Sequence, residues 1–398
     1  MTQRFAQRMA DVKPSAIREL LALGADPAII SFGGGYPDAT LFPAEKLDAI
    51  FHEVIRTPGG APLQYAPSDG LPRLRDQIAG LMRADGIACR AEDVLILQGS
   101  QQGLDFAGRM LVDPGDVIVT EDPTFLGALI AFAPCQPRYA AVPVDAEGMQ
   151  TDVLAEVLAA NPRVRLIYTV PDFQNPTGVT LSLARRKALI ALANKYDVIV
   201  VEDTPYRQIR FAGEPLPTLK SMDTEGRVIH LGSFSKVLVP ALRIGWAVAA
   251  PELLERMGLL KVAADTQTST LNMAAASLFL ERHDLAEHVA TLRATYRQKK
   301  DAMLDAIRQH FPQEVTVTDP DGGLFTWARF PEGFDATAFM RDVALPEARV
   351  AYVPGASFFP VTPRPNHARI NYSAQSEANI RTGIAALGKV LKAHPFFQ

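Results

Sequence analysis

Between about Leu63 and Glu281 short apolar runs recur, at 94–97, 117–120, 138–142, 165–170, 197–202, 227–231 and 243–249, mostly separated by stretches of helical period. That alternation predicts an α/β architecture: a mainly parallel sheet covered by helices on both faces, with ligands at the carboxyl ends of the strands. Ahead of it, residues 14–23 read as a short helix and Ala28–Phe32 as a strand. The turn Gly33-Gly-Gly-Tyr-Pro-Asp38 and an amphipathic helix from Pro43 to Arg56 follow. Downstream, 251–310 reads as two or three helices, one long and charged from His283 to Gln309. The remainder reads as an α+β region, with strands near 315–317, 324–329, 349–352 and 368–372 and a final helix over 376–391. The pattern divides the chain into an N-terminal segment (1–60), a large domain (61–285) and a smaller C-terminal domain (286–398).

The 398 residues, 48% hydrophobic and 21% charged, describe an ordinary globular protein. A net charge of −4 gives no electrostatic case for nucleic acid or an anionic membrane. The two cysteines, Cys89 and Cys135, match neither a disulfide framework nor a metal site. The first residues lack the apolar core of a signal peptide, and no run approaches the length of a membrane span. The expectation is a cytoplasmic protein without a metal, a membrane or a nucleic-acid partner.

One stretch concentrates the candidate chemistry, Leu231-Gly-Ser-Phe-Ser-Lys-Val-Leu-Val-Pro-Ala-Leu-Arg-Ile-Gly-Trp246. It puts Lys236 in a turn between two apolar strands. A lysine at a sheet end is partly out of water, which lowers its pKa and suits its amine to condense with a carbonyl. Ser233, Ser235 and Arg243 add hydroxyls and a cation suited to a phosphate dianion. Taken alone, Ser-x-x-Lys also fits a surface loop. Three further pieces stand upstream. Gln98-Gly-Ser-Gln-Gln-Gly103 joins a strand to a helix, so Ser100 and Gln101 present backbone N–H groups to an anion. Asn175-Pro-Thr-Gly178 follows the strand Leu166–Val170, and Asp203 ends the strand Val198–Asp203 with Tyr206 three residues on.

In this order the four motifs resemble the fold-type I enzymes of pyridoxal 5′-phosphate (PLP), specifically the class I/II aminotransferases. The branch most like it contains the 2-aminoadipate and kynurenine aminotransferases and the aminotransferase domains of MocR-type regulators. The resemblance runs from about Ser15 to the C-terminus. It implies a seven-stranded sheet with one antiparallel strand, a smaller α+β domain, and an N-terminal segment that covers the site. It implies an imine between PLP and Lys236, with Asp203 against the pyridine nitrogen and Asn175 and Tyr206 on the 3′-oxygen. Phe125 would lie on the ring face, where many relatives carry tyrosine. Ser100, Gln101, Ser233, Ser235 and Arg243 would hold the phosphate. Tyr65 resembles a tyrosine that reaches the phosphate of a neighbouring subunit, which implies a homodimer with shared sites. Arg369 would grip the substrate α-carboxylate, with Asn175, Gly35 and Tyr36 beside it. Arg18 resembles a mobile arginine that meets an acidic side chain. Plain readings stand beside these roles: a helix cap for Ser100, core packing for Phe125 and Tyr206, a turn for Asn175, and solvated charges for Arg18 and Arg369.

The implied reaction moves an amino group from an L-amino acid (2-aminoadipate, aromatic or branched aliphatic) to a 2-oxo acid, 2-oxoglutarate being the expected acceptor. Lys236 would carry the proton. Other outcomes of the same carbanion compete: β-elimination, racemisation or decarboxylation. An effector-binding module of the MocR kind is the alternative from another class, disfavoured by the acidic balance and by the roughly 14 residues ahead of the match, too few for a winged helix.

Overall fold

The computed structural model describes residues 5–9, 26 and 28–398. The expected helix over 14–23, Arg18 included, lies outside them. In chain order the elements begin with β1 (Ile30–Ser31), α1 (Ala44–Ile55), α2 (Pro72–Ala84), β2 (Val94–Leu97), α3 (Ser100–Leu111), β3 (Val117–Asp122) and α4 (Leu126–Phe132). Next come β4 (Arg138–Asp145), β5 (Gly148–Met149), α5 (Thr151–Ala160), β6 (Val164–Thr169), α6 (Leu183–Tyr196), β7 (Ile199–Asp203), β8 (Val228–Ser233) and β9 (Gly245–Val248). The chain continues through α7 (Pro251–Ala264), α8 (Thr270–Arg282), α9 (Leu285–His310), β10 (Thr316–Val317), β11 (Phe325–Arg329), β12 (Val350–Ala351), β13 (Val353–Pro354), β14 (His367–Asn371) and α10 (Glu377–Ala393).

The larger sheet has the order β2-β9-β8-β7-β6-β3-β4-β5. Seven of its strands are the expected ones, and β9 is antiparallel to both neighbours. The eighth, β5, is a two-residue strand hairpinned onto β4, too short to leave a periodic signal. Neighbouring residues of the central strands point into different cores. Ile118, Leu166, Val201 and Ile229 join one cluster, and Val119, Ile167, Val200 and Val228 the other. This period of two is why those strands read as continuous apolar runs: a sheet covered on both faces has no polar side. Helix α3 packs its Leu104 and Phe106 into the first cluster, and α6 its Leu189 and Ala193 into the second.

The smaller sheet, β10-β11-β14-β13, is antiparallel. Strand β1 is separate from it and pairs in parallel with β12, so the N-terminal segment docks on the C-terminal region. Among the described residues no helix is long and apolar enough to cross a membrane. Nor do they contain a group of three or more His, Cys, Asp or Glu placed to hold a metal ion.

Candidate active site

Lys236 sits in the turn between β8 and β9. Because β9 runs back along β8, with Ser233 opposite Gly245, the turn opens at the end where the parallel strands finish. Those strand ends bring the other motifs with them: Ser100 after β2, Phe125 after β3, Asn175 after β6 and Asp203 on β7. The Lys236 ammonium donates to Gly35 O at 2.8 Å. Burial, then the charges of Arg369 and Arg243, pulls its pKa down to about 8.

Asp203 is buried. Tyr168 on β6 donates its hydroxyl to Oδ2 at 3.1 Å, while Oδ1 has no hydrogen-bond partner among the described residues. Burial pushes the carboxyl up to about 7, although Tyr168, the charge of His230, the nearby Ser100 side chain and the charge of Lys236 pull the other way. Asn175 joins two groups: its Nδ2 donates to the Tyr206 hydroxyl at 3.0 Å, and its Oδ1 accepts from Arg369 Nη1 at 3.0 Å. Arg369, on β14, also donates to Gly33 O, and its Nε is buried without a partner among the described residues. The guanidinium lies over Phe325 at 4.3 Å and Phe358 at 5.2 Å. Burial lowers its pKa to about 10, so it remains a cation at neutral pH.

The loop that presents Asn175 is held from below. Asp172 accepts from Arg186 at 2.8 Å, with Arg207 and Arg210 beside it. Gln174 donates to Glu121 at 3.0 Å and to Pro123 O at 2.8 Å, joining the loops after β6 and β3. A buried carboxylate with three hydrogen-bonding neighbours fixes geometry at a cost, and burial raises Glu121 to about 7.

On the other wall, Ser100 begins α3 and Gly99 is its cap, with φ 75°. A side chain at 99 would meet Arg243 Nη2 at 2.5 Å, an atom that can swing aside, so it is the positive φ of the turn that calls for glycine. Arg243 donates to Gln98 O at 3.1 Å and Ser235 Oγ at 3.3 Å, and Ser233 Oγ donates to Ser235 Oγ at 2.9 Å. Helix N-terminus, two hydroxyls and a cation thus converge on one spot, an arrangement suited to a phosphate.

These residues line one cavity of about 430 Å³. It brings together Gly35, Tyr36, Ser100, Gln101, Phe125, Asn175, Asp203, Tyr206, Ser233, Ser235, Lys236, Arg243 and Arg369. Tyr65 is not among them; it is 81% exposed on the surface of the single chain. Arg18 lies outside the described residues. Ile130 and Val170 also line the cavity, and Tyr168 lies behind it; sequence reasoning named none of the three. Strand alternation offered the signal for two of them, since Leu166, Tyr168 and Val170 share a face. A larger cleft, about 1120 Å³ and lined by Asp122, Trp327 and Arg364 among others, contains neither Lys236 nor Asp203.

The family model described as aminotransferase class I and II matches residues 36–387. Aromatic-amino-acid aminotransferase 1 of Thermococcus litoralis is 40% identical over 393 residues, 98% of this chain and 94% of that one. The crystal structure of the alpha-aminoadipate aminotransferase of Thermus thermophilus, complexed with N-(5′-phosphopyridoxyl)-L-leucine, is 38% identical. It superposes with a TM-score of 0.91 over 98% of this chain and 97% of that chain. That of Pyrococcus horikoshii kynurenine aminotransferase, with PMP, is 38% identical with a TM-score of 0.92 over the same shares.

Proposed function

Because the chain belongs to the class I and II aminotransferases, PLP-dependent transferases of amino groups, we propose that it moves the amine of an aromatic, 2-aminoadipate-type or branched aliphatic L-amino acid to 2-oxoglutarate at the Lys236 cavity. The observation that carries this reading is the unpartnered Asp203 Oδ1, in the same cavity as the Lys236 amine. Asp203 would hold a protonated pyridine nitrogen, which would supply the donor that oxygen lacks. Ser100, Gln101, Ser233, Ser235 and Arg243 would hold the phosphate, and Phe125 would face the ring. Bound PLP supplies the electron sink that lets the Cα–H bond of an amino acid break.

The chain's own groups do the rest. Asp203 would keep the ring nitrogen protonated by its charge. Tyr206 accepts from Asn175, which leaves its own proton free to donate to the cofactor's 3′-oxygen. Arg369, clamped between two phenylalanines and carrying a free Nε–H, offers a two-pronged grip to the α-carboxylate. Lys236, with its pKa near 8, is neutral often enough near pH 7 to accept the α-proton at Nζ and return it.

Tyr36, Phe125, Ile130 and Val170 give the cavity an apolar side suited to aromatic or aliphatic donors. Its three cations, Lys236, Arg243 and Arg369, already have tasks, so the second carboxylate of 2-oxoglutarate needs another; Arg18 is the residue offered for it. Tyr65, exposed in one chain, would complete the phosphate site of a second copy in a homodimer.

Borohydride reduction of the purified holoprotein followed by peptide mapping tests the assignment. The label should fall on Lys236, and Lys236→Ala should lose it together with at least a thousandfold of kcat, about 4 kcal/mol. A label on another lysine overturns the assignment. With excess phenylalanine and no acceptor, the cofactor should accumulate in its amine form; elimination or racemisation would leave it unchanged.

A further inference from the structure

The segment from Phe32 to Asp38 crosses the site as a strap, and the molecule's own bonds show how it is held. Two of its tethers come from groups that the reaction uses. Arg369 Nη2 donates to Gly33 O at 3.0 Å, and Lys236 Nζ donates to Gly35 O at 2.8 Å. When Lys236 is joined to the cofactor and Arg369 holds a carboxylate, both bonds are weakened or lost. The strap must then be held by its other contacts.

At one end these are backbone bonds: Phe32 N to Ala351 O at 2.7 Å and Asn371 N to Phe32 O at 2.9 Å. The other end rests on a buried cluster. Lys299 on α9 donates to Asp38 Oδ2 at 2.5 Å and to Ser373 O at 2.9 Å. Asp38 N donates to the Tyr296 hydroxyl at 3.0 Å, and Ser373 Oγ donates to Tyr36 O at 2.7 Å. Asp38, Lys299, Tyr296 and Ser373 are all buried. A single ammonium therefore ties the end of the strap to the segment that leaves β14, the strand of Arg369. Between those fixed points lies Tyr36, whose ring folds back over Gly34. A side chain at 34 would meet that ring at 2.5 Å.

We propose that Asp38 and Lys299 form a positioning pair for the amino donor. They hold the strap so that Tyr36 keeps its place against the substrate side chain while Arg369 and Lys236 exchange their bonds to the strap for bonds to substrate and cofactor. A buried ion pair is a weak source of stability compared with apolar packing, but it is directional, and a partner removed leaves a costly lone charge. Its effect belongs to donors large enough to touch Tyr36. A donor with only a methyl side chain offers the tyrosine ring the least surface, so alanine serves as the control. The inference rests on the reading of Lys236 and Arg369 given above.

Half-reactions of the holoenzyme with phenylalanine and with alanine test it, using Asp38→Asn, Lys299→Met and the double variant. Each should raise the KM for phenylalanine by about tenfold while changing kcat, the KM for alanine and the cofactor dissociation constant by less than about threefold. The double variant leaves no lone buried charge, so it should melt close to wild type and be no worse than the single variants. An equal rise in KM for both donors, a parallel loss of cofactor, or additive effects in the double variant would overturn the proposal. Arg369→Lys separates the two readings. It should impair both donors alike; if it impairs neither, the carboxylate grip fails and the strap proposal with it, whereas an unchanged KM for phenylalanine in Asp38→Asn and Lys299→Met overturns the strap proposal alone.

Discussion

Asp203 has one oxygen held by Tyr168 and the other without a partner among the described residues, so its ionisation weighs on the cofactor-free protein. Burial lifts its carboxyl from the usual 3.8 to about 7. The native chain then binds that proton more tightly than the unfolded one, so stability falls as pH rises from about 4 to about 7 and is level above. The penalty is on the order of 4 kcal/mol. Cofactor-free Asp203→Asn should therefore melt several degrees above cofactor-free wild type at pH 8, with the gap shrinking toward pH 5. In the loaded enzyme the same change should lower kcat by about a hundredfold or more, because the amide carries no charge to hold the ring nitrogen protonated. Equal melting at both pH values would refute the penalty. Asp203 stood out in the sequence because it closes an apolar strand. Tyr168 did not, since a tyrosine inside such a strand looks like any other core residue until its hydroxyl is seen to reach a carboxylate.

Strands β8 and β9 with the turn between them are the element on which the site depends. Gly245 opens β9 directly beside the start of α3. A Cβ there would lie 2.6 Å from the carbonyl carbon of Gly99 and 2.7 Å from Ser100 N, both backbone atoms that cannot swing aside. Gly245→Ala should displace the helix N-terminus and raise the cofactor dissociation constant about tenfold or more, which equilibrium dialysis would measure, while the fold persists. A dissociation constant within twofold of wild type would show that α3 does not bear on the phosphate. Strands with three or more apolar residues, β2 and β8 among them, lie where their runs placed them. Strands β5 and β13 were missed although β1, β10 and β12 are as short, because those three lie within longer apolar runs, whereas Gly148-Met149 is flanked by Glu147 and Gln150 and β13 ends in Pro354. The antiparallel course of β9 likewise leaves no trace in hydropathy; it came from the family resemblance.

Across the whole molecule, exposed apolar side chains mark where a second copy is expected. Leu63 and Tyr65 are 64% and 81% exposed, and Leu259 and Val262 on α7 are also exposed. Sedimentation should give a dimer. Mixed dimers of Tyr65→Phe and Lys236→Ala subunits should regain one nearly intact site per pair, since each site would take its lysine from one chain and its tyrosine from the other. Activity no greater than the sum of the parents, once subunit exchange is demonstrated, would show that sites are not shared. The proposed sharing could not be read from hydropathy, because Tyr65 stands outside any apolar run and is largely exposed in its own chain. Helix α9 adds a mechanical consequence. Arg293 near its start donates to Gln208 O at 2.7 Å, Lys299 further on holds the strap, and the far half packs along α10. If the helix tilts by about 5° about the Gln208 end, Lys299, about 9 Å along the axis, moves by about 1 Å, whereas His310, about 26 Å along, moves by about 2 Å. Because the strap is also bonded to the C-terminal region at Phe32 and Tyr36, such a tilt would carry strap, Ser373 and Arg369 as one piece past Lys236, which stays with the larger sheet.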